Sequence, residues 1–296
     1  MWRRSLDAGE MPEGTILAHI TPICKKGNRG LPVNYRPIAL TNHVTKSFER
    51  VLRKAILIHL EENTLLNISQ HGFRSGFSTV SQLLTYYDSI LTLLESEGPI
   101  DAIYLDFAKA FDKVDHSVLL MKLHRLGITG KIHSWIKNFL TNRMQQVKVH
   151  NALSDPVKTR SGVPQGSVLG PLLFLIMMID IDDQVQNCSI ATFADDTKVW
   201  CPSQVQTANV LQLNLSSLYE WARSNNMEFN DDKFDYIQFD RTPSPSAALY
   251  HTPSGAKINQ VSKVKDLGVW VSGDLLFSSH VKEVVSGAQN MAHWVL

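Results

Sequence analysis

The 296-residue chain reads as an α+β protein on three observations. Asp101-Ala102-Ile103-Tyr104-Leu105-Asp106-Phe107 is a short apolar run closing on an acid, the pattern of a buried strand. Ser189-Ile190-Ala191 and Val199-Trp200 flank Thr192-Phe193-Ala194-Asp195-Asp196-Thr197, which puts two adjacent carboxylates at the tip of a hairpin. Between these segments lie helical patterns, one of them spaced by Leu119, Leu120, Leu123 and Leu126. In chain order, apolar period and punctuation predict a strand at 16–20, helices at 44–61 and 80–95, and a strand at 100–106. Helices follow at 116–126 and 131–141, then a strand at 146–149 and an apolar helix at 169–181 that opens from a Gly/Pro loop. Strands at 189–193 and 197–201, a helix at 207–225 and strands at 236–239 and 267–271 complete the order. The Pro/Ser-dense run Asp240-Arg241-Thr242-Pro243-Ser244-Pro245-Ser246 is the expected flexible insertion. There are no internal repeats.

Composition narrows the class. With 44% hydrophobic residues the chain can fill a core, so it is not a disordered segment. The net charge of +1 is unevenly spread: residues 1–60 carry ten Lys/Arg against four acids, a surplus of +6, which leaves −5 for the remainder. Local fields of that kind matter more for phosphate-bearing ligands than the total does. Cys24, Cys188 and Cys201 form no metal-spaced pair and no even disulfide framework, which points to a reducing compartment. The N-terminus lacks the apolar stretch of a signal peptide, and the apolar run from Leu172 to Ile179 falls short of the roughly 20 residues a bilayer requires. A soluble nuclear or cytoplasmic chain, with no membrane contact, is expected.

The chemistry resides in the acids. Strand residues alternate between faces, so a carboxylate doublet inside a strand would waste one acid, whereas at a turn both reach one cavity. Two buried acids repel unless a cation neutralises them, and Mg²⁺ does so while keeping sites for water and phosphate oxygens. With Asp106 beside the Asp195-Asp196 turn, three carboxylates can hold two ions about 4 Å apart, the arrangement that activates an attacking 3′-oxygen and stabilises a leaving pyrophosphate. Convergence of the three acids within metal-bridging reach is therefore expected. Between them in sequence runs Ser161-Gly162-Val163-Pro164-Gln165-Gly166-Ser167-Val168-Leu169-Gly170-Pro171, where glycines permit close backbone approach and Gln165 offers an amide to a sugar or base edge. Taken singly, each motif has a plainer reading. The doublet is a solvated turn, the loop an ordinary entry to a core helix, Phe111 a core aromatic and Lys25 part of a solvated loop.

In order, these blocks resemble the reverse transcriptases of non-LTR (LINE-type) retrotransposons, with a jockey-like or chicken-repeat-like flavour. The resemblance runs through Pro22-Ile23-Cys24-Lys25-Lys26-Gly27, Asn34-Tyr35-Arg36-Pro37-Ile38-Ala39-Leu40 and Gln70-His71-Gly72-Phe73-Arg74. It continues with Leu105-Asp106-Phe107-Ala108-Lys109-Ala110-Phe111-Asp112, the Gly-Val-Pro-Gln-Gly loop, Phe193-Ala194-Asp195-Asp196, Asn230-Asp231-Asp232-Lys233 and Lys265-Asp266-Leu267-Gly268-Val269. It implies a right-hand polymerase, with helical/β fingers at 1–98 and an antiparallel-sheet palm at 99–275. A fingers-proximal insertion falls within the palm at about 128–160, and 276–296 begins a truncated, largely missing thumb or a connection.

The implied activity is RNA-directed DNA synthesis with Mg²⁺ (two ions, Mn²⁺ as an alternative) on an RNA template, a DNA primer and dNTP. The resemblance makes Asp106, Asp195 and Asp196 the metal-holding catalytic acids. It makes Lys25 and Arg36 the clamp on the triphosphate, Phe111 the ring under the incoming sugar, Gln165 and Gly166 neighbours of nucleotide and template, and Lys233 the proton donor to pyrophosphate. Phe234 departs from the small residue usual after that lysine, which puts the packing of Lys233 in question. The competing reading is a catalytically inactive, truncated element remnant that at most binds nucleic acid. A two-metal phosphatase or nuclease lacks a water-activating constellation. Apolar surface is expected to be exposed near Val269, Trp270 and Val271, where a thumb would dock.

Overall fold

The computed structural model describes residues 1–25, 27–203, 205–241 and 249–295. Lys26, and the expected insertion from Thr242 onward, lie outside the described residues. In chain order the elements are helix α1 (Trp2–Ala8), strands β1 (Leu17–Cys24) and β2 (Tyr35–Leu40), helices α2 (His43–Glu62) and α3 (Thr79–Ser96), and strand β3 (Ile100–Leu105). Helices α4 (Ala110–Lys113), α5 (His116–Arg125) and α6 (Gly130–Thr141) precede strands β4 (Met144–Val149), β5 (Ala152–Leu153) and β6 (Val157–Lys158). Then come α7 (Gly170–Met177), β7 (Ser189–Phe193), β8 (Asp196–Pro202), α8 (Val205–Ser224), β9 (Asp235–Phe239), β10 (Asn259–Gln260), β11 (Lys263–Asp266), β12 (Val269–Ser272) and α9 (Ser278–Val295). They fall into two compact units that interleave along the chain. The first comprises Met1–Asn67, Ala108–Asp180 and Ser224–Glu228, and the second Ile68–Phe107, Ile181–Arg223 and Phe229–Leu296.

In the first unit a five-stranded sheet runs β2-β1-β4-β5, with β6 also paired to β4. The strand expected at 16–20 continues to Cys24 because β2 pairs along it, from His19 opposite Leu40 to Cys24 opposite Tyr35. That partner has no clear apolar alternation, so β2 was not legible beforehand. Helix α2 starts where the Asn42 side chain accepts the Val44 N–H at 2.8 Å, and it buries Thr45, Glu49, Leu52, Ile56 and Leu60 along one face. Helix α1 was not foreseen. A seven-residue helix is marginal on its own, and here Trp2 stacks on Phe48 at 4.6 Å while Trp135 Nε1 donates to Ser5 Oγ at 3.0 Å. Helix α7 stops at Met177 rather than 181. The buried Lys122 ammonium donates to Met177 O and Asp180 Oδ1, both at 2.6 Å, and so draws the chain out of the helix.

The second unit is built on a five-stranded sheet, β10-β9-β3-β8-β7, with β3 at its centre. One face holds Ala102, Trp200, Ile237 and Phe239, covered by Tyr86 and Ile90 of α3 and by Val264 and Val271. On the other face, buried Asp101 accepts from Tyr236 Oη at 2.8 Å, Tyr250 Oη at 2.7 Å and Gln238 Nε2 at 3.1 Å, which satisfies a carboxylate that would otherwise be costly to bury.

The strand expected at 267–271 is in fact a hairpin, β11 and β12. Leu267 and Gly268 form its turn with φ of 47° and 93°, the double positive φ that suits the twist of paired strands. The expected apolar exposure there is also corrected. Val271 is buried in the core and Trp270 is half-buried, because α9 packs on β12 and His280 Nδ1 accepts the Trp270 N–H at 3.3 Å. Exposed apolar side chains lie instead on α9, at Val281, Val284 and Val285.

Candidate active site

Asp195 stands at the hairpin turn between β7 and β8, and Asp196 opens β8 opposite Phe193. Ala194 precedes them at φ 58°, a conformation that side chains with a Cβ adopt rarely. A neighbouring loop of the same unit enforces it. Gln70 Oε1 accepts the Ala194 N–H at 3.0 Å, and its Nε2 donates to Ala194 O at 3.3 Å. Gly72 lies so close that a Cβ on it would stand 2.4 Å from Ala194 N. Gln70-His71-Gly72 had family likeness but no evident task, and its task is to clamp the acid turn. Sequence reading missed it because the clamp spans 124 residues.

Asp106 follows β3 directly. Leu105 pairs with Thr197, so one residue further on Asp106 comes level with Asp196, and alternation sends both carboxylates to the same face as Tyr104 and Lys198. The Asp106 carbonyl accepts the Asn230 N–H at 2.8 Å and its Oδ2 accepts from Lys233 Nζ at 2.5 Å. The doubt over Phe234 resolves as packing. Its buried ring contacts Phe229 at 5.5 Å and Tyr219 at 6.0 Å, anchoring the turn that presents Lys233 to Asp106.

Crowding raises Asp196. Its carboxyl is pushed up to about 6, first by burial among protein atoms and then by the charges of Asp195, Asp106 and Asp266, with Lys198 opposing. Asp196 is exposed to solvent, so repulsion among the acids is the firmer cause. Lys198 and Asp266 form a buried ion pair, with the ammonium 4.1 Å from the Tyr86 ring centroid. Asp106, Asp196, Lys198, Lys233, Lys265 and Asp266 line one cavity of about 150 Å³. With Asp235 the lining holds four carboxylates to three lysines, and carboxylate oxygens are the donors that suit a small, hard divalent cation such as Mg²⁺. Among the described residues no three His, Cys, Asp or Glu side chains yet enclose a common point as ligands. The expected cluster is thus an electrostatic group rather than a formed ligand set, and Lys233 holds Asp106.

The remaining candidates belong to the first unit. Lys25 is exposed just past β1, its N–H bonded to Asn34 O at 2.8 Å, and Arg36 is exposed on β2 opposite Ile23. Both cations therefore sit on one two-stranded ribbon. Gln165 O accepts the Ala39 N–H of that ribbon at 2.7 Å, and Gln165 Nε2 donates to Asp112 Oδ1 at 3.0 Å. Gly166, at φ 108°, leaves no room for a Cβ, which would stand 2.6 Å from Ala39 O. Phe111 is half-buried and stacks on Phe174 with centroids 4.6 Å apart, and its carbonyl accepts the Val163 N–H at 2.8 Å. Glu49, unremarked in the sequence, accepts the N–H groups of Val168 at 2.7 Å and Leu169 at 2.9 Å, fixing the exit of the loop. An acid on the buried face of an amphipathic helix was the signal that could have found it.

The family described as reverse transcriptase (RNA-dependent DNA polymerase) matches residues 23–271. The probable RNA-directed DNA polymerase from transposon X-element of Drosophila melanogaster is 34% identical over 262 residues, 86% of this chain and 28% of that protein. The RNA-directed DNA polymerase from mobile element jockey of the same organism is 31% identical, over 94% of this chain and 31% of its own length. The chain thus spans less than a third of these curated relatives. Among solved structures, telomerase from Candida albicans in complex with a TWJ fragment of telomeric RNA superposes with a TM-score of 0.62 at 14% identity, over 93% of this chain and 48% of that one. Apo telomerase from Candida tropicalis, truncated from its C-terminal domain, gives 0.60 at 15% identity, over 90% and 55%. At these identities the likeness is one of fold.

Proposed function

The chain belongs to the reverse transcriptase (RNA-dependent DNA polymerase) family, with relatives in non-LTR transposons, and from that premise we propose that it extends a DNA primer with dNTP along an RNA template. The observation that carries this reading is the placement of Asp106 at the end of β3 level with Asp196 at the start of β8, beside Asp195 on the hairpin turn. Two Mg²⁺ ions, or Mn²⁺, would supply the activation of the 3′-oxygen and the neutralisation of charge on the leaving pyrophosphate. Asp106, Asp195 and Asp196 would hold the ions, and Lys233, now bonded to Asp106, would serve as proton donor to the pyrophosphate. Lys25 and Arg36 engage the triphosphate, where a planar guanidinium binds two oxygens at once. Phe111 supports the sugar and rejects a ribose 2′-hydroxyl, with Gln165 and Gly166 beside nucleotide and template.

Functionally the chain divides into fingers (1–98), palm (99–275, with a fingers-proximal insertion at about 128–160) and a thumb or connection segment (276–296). Its site of action is nuclear or cytoplasmic. No helix among the described residues is long and apolar enough to cross a membrane, and among them no disulfide forms. Primer extension on an RNA template with Mg²⁺ and dNTP tests the reading. DNA product that disappears in Asp195→Asn supports it. A folded chain that makes none would favour the inactive remnant.

A further inference from the structure

Lys198 sits two residues after Asp196 in β8, so their side chains share a face and start only about 7 Å apart along the strand. A lysine stem spans most of that distance. The ammonium nonetheless bonds Asp266, at the last position of β11, rather than the acid on its own strand. Both members of the pair are 5% exposed, and Tyr86 and Tyr104 shield the ammonium with ring centroids at 4.1 and 5.8 Å. Asp106, Asp195, Asp235, Lys233 and Lys265 are the other charged groups around the cavity or its turn. A buried ammonium that loses its carboxylate is costly and moves to the next one within reach. Here that is Asp196.

We propose that Asp266 is a positioning residue that draws the Lys198 ammonium away from Asp196 and so keeps that carboxylate available to a divalent cation. The inference rests on the polymerase reading of the site and deepens it, since it assigns the β11–β12 hairpin an electrostatic task in addition to its apolar docking through Val264 and Val271.

The experiment is Mn²⁺ binding to the full chain without nucleotide or nucleic acid, with the free ion followed by electron paramagnetic resonance. Asp266→Asn should bind Mn²⁺ roughly tenfold more weakly, because an ammonium now competes for Asp196. Adding Lys198→Met to that variant should restore affinity to within about threefold of the parent, since the competitor is gone. Undiminished binding in Asp266→Asn, or no recovery in the double variant, overturns the proposal, because a merely structural pair would alter melting temperature and not follow this pattern. Should Asp266→Asn fail to fold, Lys198→Met/Asp266→Leu decides, since the proposal requires parent-like affinity from an apolar replacement and is overturned by its loss. Asp196→Asn is the control for the underlying reading. If it leaves Mn²⁺ binding intact, the metal-site assignment itself has failed, irrespective of Asp266.

Discussion

The loop around Gln165 and the turn at Asp195 are both short connections carrying candidate catalytic or binding groups, yet they are held by opposite means. The loop is held by bonds that are already satisfied. Ala39 donates to Gln165 O, Gln165 to Asp112, and Val168 and Leu169 to Glu49, while Gly166 admits a strand edge. The turn is also clamped, by Gln70, but it gathers like charges: Asp196 is raised by Asp195, Asp106 and Asp266, and Asp106 is paired with Lys233. One connection is fixed chiefly by hydrogen bonds within its own unit, and the other brings carboxylates together. Mutations in the first should act on folding, and those in the second on chemistry.

The largest expected effect tests the chemical side. Asp195→Asn or Asp196→Asn should abolish primer extension while thermal stability stays equal or rises, because removing one of several crowded acids relieves repulsion. A parallel loss of stability would show that the acids are structural and erase the contrast. Next comes the structural side. Glu49→Ala leaves the Val168 and Leu169 N–H groups without their acceptor, at a cost of about 1–3 kcal/mol read by denaturant unfolding. Gly72→Ala should lie between the two classes, lowering stability and activity together, since its Cβ would collide with Ala194 N.

Smaller effects sharpen the boundary. Phe111→Ala removes a stack on Phe174 and should lower discrimination against ribonucleotides by about 1–3 kcal/mol in competition assays, whereas unchanged selectivity would make Phe111 a core residue only. Asp196 titrates in a direction that can be checked without activity. Its folded value of about 6 lies above the ordinary 3.8, so the folded state holds the proton more tightly. The resulting stabilisation is present below about pH 4 and lost as pH rises through about 6. Metal-free parent protein should therefore lose stability across that window relative to Asp196→Asn, and identical pH profiles would refute the crowding. Arg36→Ala, at an exposed strand position, should raise the KM for dNTP with no change in melting temperature.

By itself the sequence determined the acids, the hairpin that presents two of them, the main amphipathic helices and the strand that ends at Asp106. All of these rest on periods of two or 3.6 residues and on turn residues read within a short window. It left α1, β2 and α9 unread, because their stability comes from partners such as Phe48, β1 and β12 rather than from local pattern. Only the tertiary structure decided that Gln70 and Gly72 shape the Ala194 backbone, that Phe234 is buried to present Lys233, and that Asp266 rather than Asp196 holds Lys198. Those choices join residues tens to more than a hundred positions apart. They are settled by which buried charge or backbone group must find a partner once the sheet has closed, a demand that no local stretch of sequence expresses.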